Sequence, residues 1–146
     1  RIDRLEKRDD STVIIDYKTG TPTNGSRVSF DRLLGAPREK WPVLVGSLQL
    51  PFYLLLYTAA AGEPVEAVNA MFLALGKSLI TRSIEEPLFA DSDGHGEGMR
   101  LLEGIIETLL AEIVDPRLPF GPTAMPVRFC PRCGLQSLCG TRWIRR

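Results

Sequence analysis

The sequence lacks an excess of charge of either sign, a long apolar run, and enough cysteine for a disulfide framework. Lys plus Arg and Asp plus Glu stand at 18 each in 146 residues. No global basic field therefore announces a nucleic-acid binder, and any such contact must come from a local site. No apolar run approaches the roughly 18 residues of a membrane helix, so no membrane partner is expected. The richest stretch, Leu48 to Ala61, is interrupted by Gln49, Pro51 and Thr58. Three cysteines, all between Cys130 and the chain end, make an odd set clustered at one end. Such a set reads as a metal or cluster site in a reducing compartment, hence a cytoplasmic setting. The chain starts at Arg1 with no charged-then-apolar leader, as expected of a segment cut from a longer protein. No repeat or low-complexity tract is present. What remains, 44% hydrophobic and 25% charged, is the composition of an ordinary globular domain.

Residues 1–18 read as a β-hairpin. Val13-Ile14-Ile15 is its strand core and Asp9-Asp10 its turn. Thr19 to Asn24 is a loop. A short helix is expected near Phe30 to Leu34, with Pro37 and Pro42 stopping anything longer. Leu44 to Ala61 reads as a largely buried helix with Ser47 as a candidate N-cap; Pro51 is awkward in it unless it lies in the first turn or kinks the helix. Ala67 to Leu75 reads as a buried strand, with Gly76-Lys77 turning it into a second strand over Ser78 to Ile84. Asp91 to Gly98, with three glycines, reads as a flexible loop. Met99 to Val114 is the clearest helix, because Leu102, Ile105, Ile106, Leu109, Leu110 and Ile113 recur at three- and four-residue steps. Asp115-Pro116 ends it, and a proline-rich extended segment leads to the cysteines.

The chemistry is carried by Asp3, Asp16 and Lys18. Side chains alternate along a strand, so Asp16 and Lys18 share a face. A hairpin turning at Asp9-Asp10 puts Asp3 across from Asp16. Two carboxylates that close need a positive charge between them, and hard oxygen ligands suit Mg²⁺ or Mn²⁺. An ammonium beside a metal-bound water orients it and offsets charge developing on a phosphate. Asp-x-Lys alone is more simply a solvated face with a weak ion pair. Gln49 and Tyr53, four apart, share one face of the predicted helix. The Gln49 amide would reach Lys18, a water or a phosphate; the bland alternative is that it caps the helix end while Tyr53 packs in the core.

Three stretches together, Arg1-Ile2-Asp3-Arg4-Leu5-Glu6, Ile15-Asp16-Tyr17-Lys18-Thr19-Gly20 and Leu48-Gln49-Leu50-Pro51-Phe52-Tyr53, resemble the RecB-like branch of the PD-(D/E)XK nuclease superfamily. The resemblance implies an α/β, restriction-endonuclease-like core in which a mixed β-sheet is flanked by helices. It implies a nuclease core over residues 1–128 and a cysteine-bearing tail over 129–146 packed on that core. It implies that Asp3, Asp16 and the Tyr17 backbone carbonyl bind Mg²⁺ or Mn²⁺, that Lys18 activates water, and that Gln49 and Tyr53 position the lysine or the DNA strand. The implied function is hydrolysis of single-stranded DNA by a helicase–nuclease of recombinational repair, with a helicase region or partner subunit. The alternatives are a CRISPR-associated exonuclease of the same branch, a nuclease-fold module that binds DNA or a partner without cutting, and a zinc-binding interaction domain. The family's first helical motif, with its Glu or His, is not in this chain, so the segment alone is expected to bind metal weakly or be inactive.

Cys130, Cys133 and Cys139 have the spacing C-x2-C-x5-C. Thiolates at this spacing bind zinc or an iron–sulfur cluster, both of which want four protein ligands. By resemblance to AddB-type nucleases the tail implies a [4Fe–4S] cluster whose fourth cysteine lies upstream; zinc is the alternative. His95, the sole histidine, would be a fourth zinc ligand but reads as a solvated loop residue. From Arg128 onward there are five arginines and no acid, a candidate DNA-backbone contact or simply a solubilising end.

Overall fold

The computed structural model describes residues 1–20, 28–76, 84–90 and 94–144. Strands β1 (Arg4–Arg8) and β2 (Ser11–Lys18) form the predicted hairpin, with register running from Arg4 opposite Ile15 to Arg8 opposite Ser11. Asp9, in the turn, takes φ of 51°, a left-handed conformation that aspartate tolerates better than bulkier residues. Strand β3 (Val68–Ala74) lies parallel to β2, and β4 (Glu85–Pro87) lies antiparallel to β3. The order β1-β2-β3-β4 makes a mixed sheet, and helices flank it, so the class is α/β. Of the second strand predicted over Ser78 to Ile84, residues 78–83 lie outside the described residues.

Two contact-dense units, Arg1–Ile106 and Glu107–Arg146, make up the described chain. In the first, short helices α1 (Phe30–Leu33) and α2 (Trp41–Leu44) precede α3 (Gln49–Ala61), which packs on β2 and β3. The predicted helix from Leu44 is thus two helices. The segment Arg38–Leu44 meets α3 at 93°, and Gly46 sits between them at φ of 63°. Proline explains the break: a helix running through from Leu44 would need the N–H that Pro51 lacks, whereas in the first turn of α3 none is required. Ser47 is not the N-cap residue, which is Leu48, yet its Oγ still accepts the Gln49 N–H at 3.2 Å. Nor is α3 buried all round. Leu50, Pro51 and Leu54 are buried, while Phe52 and Leu56 are exposed. Gly62, at φ of 67°, ends the helix in a left-handed cap.

Helix α3 and strand β2 are tied at both ends. Thr12 is buried at the start of β2, and its hydroxyl donates to Glu63 at 2.8 Å. The Tyr57 hydroxyl donates to the same carboxylate at 3.1 Å, and Lys7 lies 3.6 Å away. Six strand steps from Thr12 to Lys18 span about 20 Å, and the twelve helical steps of α3 from Gln49 to Ala61 span about 18 Å, with Glu63 two residues beyond the helix end. Ile14 and Leu54, both fully buried, lie between these ties. On the opposite sheet face Val13, Ile15 and Met71 cluster with Leu73.

The predicted loop at Asp91 to Gly98 is replaced, from His95 on, by helix α4 (His95–Val114). Packing overrides the low helix propensity of glycine here. A Cβ on Gly98 would stand 2.7 Å from Phe89 and 3.0 Å from Phe30, whose rings stack with centroids 4.9 Å apart. His95 is not a solvated residue either; it is buried, with its ring 4.4 Å from Phe89. In the second unit, Asp115 follows α4 and accepts the Arg117 backbone N–H and guanidinium at 2.9 Å. Helix α5 (Pro126–Phe129) then leads into a 3-10 turn at Cys130–Arg132. Among the described residues no single helix is long and apolar enough to cross a membrane.

Two outcomes are expected. The hydrogen bond from Thr12, then that from Tyr57 and the charge of Lys7, hold the Glu63 carboxyl below its ordinary value of 4.5. A lowered folded value means the carboxylate stabilises the fold fully above about pH 4.5 and loses that contribution as acid takes the pH down through the folded value. Urea unfolding across that range should fall more steeply with acid in the wild-type chain than in Glu63→Gln. A second variant, Gly76→Ala, puts a Cβ 2.3 Å from the Gly20 carbonyl oxygen and 2.8 Å from that of Thr19. It should cost about 1–3 kcal/mol in the same measurement, because backbone rather than a flexible side chain must give way.

Candidate active site

The C-terminal end of β2 is where polar groups enter the apolar layer under α3. By strand alternation Thr12, Ile14, Asp16 and Lys18 share the face that α3 covers. Asp16 is 4% exposed. Its Oδ1 accepts a hydrogen bond from Gln49 Nε2 at 2.6 Å. Its Oδ2, also buried, lies 2.6 Å from Lys18 Nζ as an ion pair, and accepts no well-directed hydrogen bond from any described residue. Lys18 Nζ in turn donates to Gln49 Oε1 at 2.6 Å. The three side chains therefore close on one another.

Gln49 can serve both partners because an amide carries a donor and an acceptor side by side. Nε2 faces the carboxylate and Oε1 faces the ammonium; the reverse orientation would set like against like at both contacts. The second Nε2 hydrogen goes to the Tyr53 hydroxyl at 3.2 Å, one helical turn along. Gln49 is the first residue of α3, so the positive end of the helix dipole also stands beside Asp16.

Asp3 arrives from the hairpin's other arm. The ladder of β1 stops opposite Ile15, and the same register carried one residue further puts Asp3 opposite Asp16. There the Asp3 carboxylate takes over from the ladder: its Oδ2 accepts the Tyr17 backbone N–H at 3.0 Å. In a strand the N–H and C=O of one residue point to the same edge, so the Tyr17 carbonyl faces the side where Asp3 lies. The Tyr17 side chain projects from the opposite sheet face, where its hydroxyl and Glu6 raise the Arg4 guanidinium above its usual value.

Two supports were not legible in the sequence. The Phe72 ring lies under Lys18, its centroid 4.7 Å from Nζ, a cation–π contact. Leu75 N–H donates to the Lys18 carbonyl at 2.8 Å, and Gly76 lies flush on Thr19 and Gly20, so the end of β3 holds the strand end that carries the lysine. Both depend on the parallel register that sets Asp16 beside Phe72 and Lys18 beside Ala74, which no local pattern encodes. Leu50 and Phe72 also line a cavity of 760 Å³, shared with Phe30, Phe89, Arg32 and Glu97.

The cysteines lie in the second unit. Cys130 is buried, Cys133 exposed and Cys139 partly buried. Cys133 Sγ accepts the Leu135 N–H at 3.4 Å, and the Gln136 amide donates to the Cys130 carbonyl. Among the described residues, no three His, Cys, Asp or Glu side chains converge as a metal-binding group, so the three thiols are not gathered at one point.

If Gln49 is what keeps the buried pair oriented, Gln49→Leu should destabilise the chain by about 1–3 kcal/mol, because Asp16 Oδ1 is left buried without a donor. Tyr53→Phe removes only an acceptor and should cost under about 1 kcal/mol by the same denaturant measurement.

No curated protein and no solved structure matches the chain. The family model of the PD-(D/E)XK nuclease superfamily matches residues 1–140, which takes in the hairpin, α3, β3 and the cysteine spacing. The mixed sheet flanked by helices accords with the restriction-endonuclease-like fold of that group. With the match extending over nearly all of its length, the chain belongs to the PD-(D/E)XK nuclease superfamily.

Proposed function

We propose that the chain is the nuclease domain of a RecB- or AddB-like helicase–nuclease that hydrolyses phosphodiester bonds of single-stranded DNA, in the cytoplasm, in recombinational repair. The observation that carries the reading is the closed contact of Asp16, Lys18 and Gln49 at the strand end beside Asp3. A buried ion pair is costly to build, so its place at the strand end beside Asp3 supports a use for it. This one is built into a layer of Ile14, Leu50 and Leu54, where a lone carboxylate would be costly.

The residues present fit a hard divalent cation. Asp16 Oδ2 is buried with an ion pair and no described hydrogen bond, and the candidate ligands from Asp3, Asp16 and the Tyr17 carbonyl all present oxygen. Asp3, Asp16 and the Tyr17 carbonyl would hold Mg²⁺ or Mn²⁺. When bound, the ion would supply a water of lowered pKa and neutralise charge on the phosphate. Lys18 contributes a positive charge aimed at the same place. Gln49 fixes the direction of that amine, and Tyr53 fixes Gln49. The preset dipoles need not reorganise as charge develops, which is where most of the rate gain in such sites arises.

For the tail, Cys130, Cys133 and Cys139 would supply three of the four thiolates of a [4Fe–4S] cluster, with zinc as the alternative occupant. The Leu135 N–H to Cys133 Sγ contact is of the kind that supports a metal-bound thiolate. Among the described residues the three sulfurs are not gathered at one point.

In the full-length protein, Asp16→Ala and Lys18→Ala should each lower Mg²⁺-dependent cleavage of labelled single-stranded DNA by about a hundredfold or more. Cleavage at the wild-type rate by either variant would remove that residue from the site.

A further inference from the structure

A carboxylate that is 4% exposed needs a positive neighbour whether or not a metal is bound. In this structure the neighbour is Lys18, and its position is specific. Nζ stands 2.6 Å from Asp16 Oδ2, the carboxylate oxygen that accepts no well-directed hydrogen bond from a described residue. Oδ1 is taken by Gln49 Nε2. The ammonium thus stands at the oxygen most open to a cation. It is kept there by Gln49 Oε1 at 2.6 Å and by the Phe72 ring, yet the Lys18 side chain is 41% exposed and has a solvent side to withdraw into.

We infer that Lys18 is the resident counter-cation of Asp16, and that a divalent metal ion and the Lys18 ammonium compete for Asp16 Oδ2. The inference rests on the metal-dependent reading above and adds a second role for the lysine. Charge arithmetic supports it. In the metal-free chain the one positive charge of Lys18 faces the two negative charges of Asp3 and Asp16. A divalent ion entering while the ammonium remains would set three positive charges against the two negative charges of Asp3 and Asp16. If Lys18 withdraws from Oδ2, two positive charges meet two negative ones. Gln49 Oε1 acts as a tether, because it holds Nζ from a different residue and need not release it when Oδ2 does. Lys18 therefore has two posts. In one it stabilises the empty fold; in the other its charge is free to face a phosphate. The ammonium is released only when the ion arrives, so the charged amine is not committed before the site is loaded.

The competition is measurable without any cleavage assay. Lys18→Met keeps an unbranched side chain of similar length and removes the charge that lies over Phe72. In metal-free buffer this variant should melt below the wild-type chain. It should bind Mn²⁺, followed by calorimetry and by the paramagnetic resonance signal of free Mn²⁺, about tenfold more tightly, as expected when a like charge is removed from contact distance. Mn²⁺ should also raise its melting temperature by more than it raises that of the wild-type chain. Lys18→Arg, which keeps the charge, should bind no more tightly than wild type. Saturable Mn²⁺ binding to wild type with equal or weaker binding to Lys18→Met would overturn the competition and leave the metal site standing. No saturable binding to either folded chain would overturn the site and the competition together. Should Lys18→Met not fold, the wild-type chain still tests the idea. Labelling of the Lys18 amine by an amine-reactive ester, read by mass spectrometry, should speed up on adding Mg²⁺; an unchanged or slower rate overturns it.

Discussion

A charged side chain in an apolar layer is the constraint around which this structure is arranged. Asp16 sits on the β2 face that also presents fully buried Ile14, and α3 closes over both. A carboxylate there is tolerable only if each oxygen meets a positive or donating group. Lys18 and Gln49 meet that need from two different elements, the same strand and the facing helix. The consequence is geometric. The end of α3 that carries Gln49 must lie over the end of β2, which fixes the helix along the strand to within a hydrogen bond.

The same strand face carries a second polar tie at its other end, where Thr12, Tyr57 and Lys7 converge on Glu63. One tie is at the first residue of α3 and the other just past its last turn, so a slip of one residue along the strand would strain both. A purely apolar interface would tolerate such a slip more easily, since volume matters more than identity in core packing. The polar pairs thus contribute little net stability and much positional specificity, and position is what a hydrolytic site needs. From the far side, β3 completes the support with the Phe72 ring, the Leu75 N–H and the close approach of Gly76 to Gly20.

The second unit has a different character. Leu110, Ile113, Leu118, Phe120, Leu138 and Trp143 are all exposed there, although the helical spacing of Leu110 and Ile113 reads as a core face. Periodicity reports that a stripe is apolar; it does not report what covers the stripe. The cysteine spacing is similar in this respect. It names three thiols and a tight turn, and the turn is present at Cys130–Arg132, but the spacing does not say whether the sulfurs point to one place.

What the amino-acid order determined by itself was local. Alternation put Asp16 and Lys18 on one face, the Asp9-Asp10 turn set the hairpin register, and a four-residue step aligned Gln49 with Tyr53. The break between Leu44 and Gln49 and the helical place of glycines 96 and 98 depend on neighbours: Pro51 fits only because a new helix starts just before it, and Gly98 is required by two phenylalanine rings that come from elsewhere in the chain. Only the tertiary structure decided that Gln49 bridges acid and amine, that Phe72 lies beneath the amine, and that His95 is buried against Phe89. Those contacts join residues tens of positions apart through a parallel strand pairing and a helix crossing. Their geometry is set by the packing of whole elements, which no window of sequence contains.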